Sequence, residues 1–219
     1  TLALAVYGGI AQGLESGGIY IVESVGAYLV GRMTITNARE HEAVLRFMIT
    51  LLGVMAVFTI PESLTGQHFI REAARALVGG PGLPVIEPRL GLDRAFGSFD
   101  HPILYGVFAA STFAAAYYVL GREKLNAKAL IPLSMIAGST FISLSAGPFV
   151  GLGFQAGILI WDKVTKGISL RWTALLTLFI MMWTVVSMGS NRSPIKVFIS
   201  YLSFSAQSSY NRILIFEYG

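Results

Sequence analysis

Cysteine is absent from the 219 residues, so disulfides and thiolate metal sites are excluded, and the redox compartment leaves no mark on the sequence. Charge is scarce as well. Asp, Glu, Lys and Arg make up 13% of the chain, against about 25% in soluble domains, whereas 54% of it is hydrophobic. This composition is that of an integral membrane protein. The bilayer core offers no water to backbone groups, so spanning segments must be helices or a closed barrel. The apolar runs are about 17 to 20 residues long and lack strict alternation, which selects helices. No dense basic stripe is present, so nucleic acid is not an expected partner. A signal peptide, a Gly-rich phosphate loop, a serine elbow and an internal repeat are all missing from the pattern. The chain begins at Thr1 and ends in mid-pattern on Glu217-Tyr218-Gly219, as expected of a piece of a longer protein.

The apolar segments predict an all-α, polytopic transmembrane bundle of about six spans, forming one domain over residues 1–219. The first span is expected near Ile19 to Val30, in a glycine-rich region holding Glu15 and Glu23. Eight residues apart on a continuous helix, these two carboxylates would share a face and make a buried polar contact. A polar connection over 32–46 leads to a span at 43–60, which Pro61 is expected to stop. A loop follows to Asp100, long enough to carry function. Within it Ile70 to Val78 reads as a short amphipathic helix, and Gly79 to Pro88 cannot be regular helix. Pro102 to Leu120 is the clearest span, with Asp100 as its expected N-cap and Pro102 in its first turn. Ala129 to Trp161 is one apolar stretch interrupted by Ser145-Ala146-Gly147-Pro148. It is too short for two full spans, so its apex is expected within the membrane depth, covered by protein. Gly147, Gly151, Gly153 and Gly157 suggest close helix packing along its second arm. Trp172 to Met188 is the last span.

Nine Lys and Arg lie in the three short connections 32–46, 122–128 and 162–171, and seven are spread over 61–101 and 189–219. By the positive-inside rule the short connections are cytoplasmic, and the long loops, about 61–101 and 189–219, lie outside. Arg71, Arg75, Arg89, Arg94, Arg192, Lys196 and Arg212 then fall on the outer side. Guanidinium groups at that depth suit phosphate or pyrophosphate, which they hold by forked, charge-assisted hydrogen bonds. They equally suit headgroup snorkelling and pairing with Glu87 and Asp93. His101, beside Asp100 at a helix start, is a candidate general base or phosphate donor, or a helix-end residue bonded to the aspartate. His41 falls inside and His68 far along the outer loop, so the histidines make no metal site, and no cofactor is expected.

The pattern RAFGSFDHPILYG at 94–106, leading into an apolar helix, resembles the signature of the O-antigen ligase and polysaccharide polymerase superfamily. SLSAGPFVGL at 143–152 and NRSPIKVFISYLSF...SSYNRILIFEYG at 191–219 resemble blocks of its exopolysaccharide polymerase branch, in the same order and spacing. The resemblance implies a multi-pass glycosyltransferase of the bacterial inner membrane. It would take a glycan from an undecaprenyl-pyrophosphate donor to an acceptor hydroxyl at the periplasmic face, without metal and with inversion. Export and chain-length proteins would be partners, beside membrane lipid. Arg94 and Arg212 would bind the pyrophosphate or stabilise it as leaving group, with Arg89 beside them, and His101 is the catalytic candidate within the chain. Two departures matter. The family often carries an arginine where this chain has Ala146, and the expected catalytic histidine belongs to a loop downstream of residue 219. The alternatives from other classes are a transporter or channel for an anionic or lipid substrate, which should show paired broken spans in two related halves, and a membrane scaffold without chemistry.

Overall fold

A computed structural model of the protein describes residues 9–79, 82, 85–121, 126–202 and 206–218. The basic run at 122–124 and part of the 79–88 loop therefore lie outside the described residues. Those described are helical, with one isolated bridge between Arg89 and Leu92 and no strand. Among the described residues, three helices are long and apolar enough to cross a membrane: Ala38–Thr65, Pro102–Leu120 and Arg171–Gly189. The chain divides into two units, Thr1–Phe47 and Met48–Gly219.

In the first unit, α1 (Ile10–Ile21) passes through a π-helical turn at Val22–Gly26 into α2 (Ala27–Thr34). Both Glu15 and Glu23 are exposed, and the π turn breaks the register that would align them. The expected buried contact between them is not formed. The expected polar connection over 32–46 shrinks to a few residues, because α3 (Ala38–Thr65) begins early. Its start is a reciprocal cap. Asn37 Oδ1 accepts from Glu40 N–H at 3.0 Å, and Glu40 Oε2 reaches back to the N–H groups of Thr36 and Asn37. Capping chemistry thus outweighs the polarity that suggested a loop.

In the second unit α3 does not stop at Pro61. Proline removes one helical hydrogen bond but leaves the next turn intact, since Gly66 N–H still bonds to Glu62 O at 2.9 Å. The stop is Gly66, at φ +71°, where an added Cβ would stand 2.8 Å from Asp93 Oδ2. After α4 (Phe69–Val78) the next helix is α5 (Pro102–Leu120), and the described residues between them form no helix. A hairpin follows, α6 (Ala127–Ile142) and α7 (Ala146–Val164), then α8 (Arg171–Gly189), α9 (Pro194–Tyr201) and α10 (Ala206–Tyr218).

The packing centre is α5 against α6 and α7. Tyr105, Ala109 and Ala110 on α5, Ile136 and Leu133 on α6 and Leu144 at the hairpin turn are buried, together with Leu52 and Met55 of α3. Within this core the Tyr105 hydroxyl and Thr59 Oγ1 share a hydrogen bond of 3.1 Å, so neither buried hydroxyl is unsatisfied. The apex of the hairpin, Ser143 to Ser145, is wholly buried, as its shortness required. With 16 residues, α6 rises only about 24 Å.

Helix α5 is not the straight span its sequence suggests. It breaks at Thr112 and ends in a π turn at Ala116–Leu120. At the break the Gln155 amide of α7 replaces the missing link: Ala114 N–H donates to its Oε1 and its Nε2 donates to Ala110 O, both at 3.0 Å. An amide inserted between residues i and i−4 lets an apolar helix bend without stranding a carbonyl.

The glycine stripe on α7 is a correction. An added Cβ at Gly147, Gly151, Gly153 or Gly157 meets nothing within 4 Å, so these positions face away from close packing. The tight glycine is Gly106 on α5, where a Cβ would collide with Ser143 Oγ and sit 2.8 Å from Pro148 Cγ. Gly106→Ala should therefore lower stability by about 1–3 kcal/mol through overpacking, whereas Gly151→Ala should be neutral or slightly stabilising. Thermal melts of the detergent-solubilised variants check the contrast, and equal melting temperatures would contradict the packing.

Candidate functional site

The site forms where the 89–101 segment crosses the buried apex of the α6–α7 hairpin. Arg89 opens it. A tight turn closes Arg89 on Leu92 through both backbone hydrogen bonds, with Leu90 at φ 54° and Gly91 at φ 76°. This turn directs Arg89 Nη1 to the Leu144 carbonyl at 2.9 Å. Leu144 itself stands at φ 45°, a costly conformation for a bulky residue that the surrounding packing enforces and that sets the direction of its carbonyl.

Arg94 is buried. Its Nη2 donates to Ser145 Oγ at 2.8 Å and its Nε to Ser143 O at 3.4 Å. Ser145 passes its own proton on to Ser143 O at 3.0 Å. The next residue is anchored too, by a bond from Ala95 N–H to Ile142 O at 3.0 Å. Among the described residues neither Arg89 nor Arg94 has a carboxylate within ion-pairing distance.

Electrostatics ties these arginines to the other two expected site residues. Burial holds the Arg94 guanidinium down to about 10, with the Arg89 charge as a second cause, so it stays cationic at neutral pH. Arg89 is lowered by burial and then by Arg212, and partly relieved by Glu87. Arg212 is half-buried on α10. Arg94 thus feels the charge of Arg89, and Arg89 that of Arg212, but the direct pairing of Arg94 with Arg212 expected from the sequence is not seen among the described residues. Glu87 offers the partial relief that the snorkelling alternative anticipated, whereas Asp93 turns its carboxylate toward Gly66.

His101 joins the cluster by a different route. The residue before a proline is pushed to extended backbone, and His101 lies at φ −149°, ψ 143°. That makes it the N-cap of α5. Its Nδ1 accepts from Ile103 N–H at 3.2 Å. Asp100, the expected cap, instead pairs with Arg71 at 3.1 Å. With Nδ1 an acceptor, the neutral ring carries its proton on Nε2 and offers a hydrogen-bond donor. Burial, then Arg94 and Arg89, pushes its pKa below the ordinary 6.5.

The remaining expected cations divide. Arg71 spans the loop, donating to Phe99 O at 3.0 Å and lying 5.6 Å from the Phe96 ring centre, and Lys196 pairs with Glu217. Arg75 and Arg192 are exposed. Ala146 is buried as the first residue of α7.

Sequence reasoning missed what holds the segment in place. Glu62, wholly buried near the end of α3, accepts from Phe96 N–H at 3.0 Å and from Gly97 N–H at 3.2 and 3.3 Å. His68 Nδ1 meets the same carboxylate at 2.8 Å, and its ring lies 4.2 Å from that of Phe96. The bond from Ser63 Oγ to Asp93 O at 2.8 Å adds a second tie. A signal existed in an ionisable side chain at the end of an apolar span, which must find internal partners. Ser145 stands out in the sequence as part of an interruption of the apolar run, and Ser143 and Ser145 both lie in the block 143–152, but neither pattern assigns them the anchoring of Arg94.

The cluster can bind an anion. The guanidinium groups of Arg89 and Arg94 lie at one end of an apolar core, within electrostatic reach of Arg212 and of the His101 ring, and a polyanion entering there would relieve their mutual repulsion. Comparison with family models, with curated proteins and with solved structures gives no match for this chain.

The depressed pKa of His101 fixes a pH dependence. The unfolded chain takes up this proton near 6.5 and the folded chain only at lower pH, so the stabilising effect of the neutral ring is complete above about 6.5 and is lost as pH falls toward the folded value. His101→Asn keeps a capping acceptor but cannot titrate. Its melting temperature should fall less than that of the parent between about pH 6.5 and pH 5, and parallel melting curves would contradict the assignment.

Proposed function

We propose that this chain is part of a membrane glycosyltransferase that polymerises or ligates lipid-linked glycans, with the Arg89, Arg94, Arg212 and His101 cluster as the pyrophosphate site. The observation that carries the reading is the anchoring of Arg89 and Arg94 on a buried hairpin apex, with His101 and Arg212, from segments more than a hundred positions apart, within their electrostatic reach. Two of the sequence blocks that resemble the O-antigen ligase superfamily meet at the bond between Arg94 and Ser145, and Arg212 comes from the third.

On this reading the bundle has about six spans in a bacterial inner membrane, and the segments 61–101 and 189–219 face the periplasm. The donor is a glycan on undecaprenyl pyrophosphate. The acceptor hydroxyl attacks the anomeric carbon as the bond to the phosphate oxygen breaks, and the configuration inverts. The pyrophosphate leaves on its lipid, gaining negative charge that fixed cations stabilise. Arg94 is pre-oriented by Ser143 and Ser145, Arg89 by the Leu144 carbonyl, and His101 presents its Nε2–H to a phosphate oxygen.

In cells relying on the full-length protein, Arg94→Ala and Arg212→Ala should each cut polymer formation by about 100-fold or more, the loss typical of removing one donor to developing charge, while insertion into the membrane is retained. Gel profiles of the glycan, with immunoblots of the membrane fraction, check this. Full activity in both variants would sink the pyrophosphate clamp. Loss of lipid-linked glycan movement with polymerisation intact would favour a transporter.

A further inference from the structure

We propose that Glu62 and His68 are positioning residues for the anion site, acting through the 94–97 turn rather than by touching the ligand. The inference rests on the pyrophosphate reading and names residues that neither the motifs nor the expected cation set contains.

The argument starts from a carboxylate with no access to solvent. Glu62 lies near the end of a long apolar helix, where an ionised side chain is tolerated only with a full set of donors. Those donors are the N–H groups of Phe96 and Gly97 and the His68 ring. Two of the three belong to the turn that begins at Arg94. Gly97 stands at φ +55°, and an added Cβ would be 2.7 Å from Met55 Cε, so the turn lies hard against α3. A backbone drawn down at 96–97 by Glu62, and tied at Ala95 to Ile142 O, leaves Arg94 little freedom of approach to Ser143 and Ser145. His68 completes the carboxylate's set, and its ring lies 4.2 Å from that of Phe96, tilted by 41°. The cluster places a guanidinium, not a carboxylate, at the ligand. Glu62 instead fixes where that guanidinium points.

The test uses the full-length protein in detergent, with farnesyl pyrophosphate as the probe in isothermal titration. Because the described chain has no native cysteine, Ser98→Cys, on the exposed side of the turn, can carry a spin label that reports its mobility. Glu62→Gln keeps size and one acceptor but loses charge and sets an N–H against the turn. It should raise the label's mobility and weaken binding on the order of tenfold, the scale of loss expected when a binding group is misplaced. In an Arg94→Ala background the same change should add no further loss, because the route through Arg94 is already gone. A general structural defect would weaken binding equally in both backgrounds and would overturn the proposal. So would unchanged mobility and affinity in Glu62→Gln. Should Glu62→Gln fail to give a monodisperse protein, His68→Ala decides, with the same effects expected at smaller size and their absence overturning the proposal. Parent protein that binds no farnesyl pyrophosphate overturns the functional reading and this inference with it, whereas parent binding that Glu62→Gln leaves intact overturns the inference alone.

Discussion

The carboxylate of Glu62 is the constraint on which the loop end of this bundle depends. A wholly buried charge near the end of an apolar helix costs several kcal/mol when stripped of partners, and here its partners are the backbone of a turn 34 residues away. That demand is what brings the 94–97 turn onto α3. Once there, the turn delivers Arg94 to the hairpin apex, and the apex in turn anchors the packing of α6 and α7 on α5. Gly97, at positive φ against Met55 and Thr59, and Gly106, against Ser143 and Pro148, mark this close approach. The chain of dependence runs from one carboxylate through a loop to the core.

The cationic cluster inverts the usual logic of a membrane interface. Guanidinium groups near helix ends ordinarily reach outward to headgroups or pair with carboxylates. Arg89 and Arg94 turn inward to carbonyls and a serine hydroxyl, acceptors that orient a cation without neutralising it. Of the acidic groups of the same segment, Asp100 pairs with Arg71, Asp93 turns toward Gly66, and exposed Glu87 relieves Arg89 only in part. A set of oriented, like-charged donors held in place by neutral acceptors would suit the proposed anion, and burial, with the neighbouring cations second, favours the neutral form of His101 beside them.

Much of the helical frame was legible in the sequence, because long apolar runs and their prolines obey simple rules. The amphipathic α4, the α5 start and the buried apex of a hairpin too short to be two full spans all followed from length and hydropathy. What escaped was set by single side chains acting across distance. Pro61 did not stop α3, since the turn after it is secured at Gly66 and by Asp93. Asn37 and Glu40 started that helix earlier than polarity suggested. The break in α5 depends on Gln155, far along the chain, and no periodicity within 102–120 announces it. Of the site, Arg89, Arg94, Arg212 and His101 were nameable from charge, position and resemblance. Their supports, Glu62, His68, Ser143 and Ser145, were not, because their roles lie in tertiary contacts to backbone groups.

The central claim is that the cluster of Arg89, Arg94, Arg212 and His101 holds a pyrophosphate. A cryo-electron microscopy map of the full-length protein with a bound prenyl pyrophosphate tests it most directly. The account predicts diphosphate density in hydrogen-bond contact with the Arg89, Arg94 and Arg212 guanidinium groups and with His101 Nε2, while Arg94 keeps its bond to Ser145. Diphosphate density elsewhere, with the four side chains untouched, would contradict it.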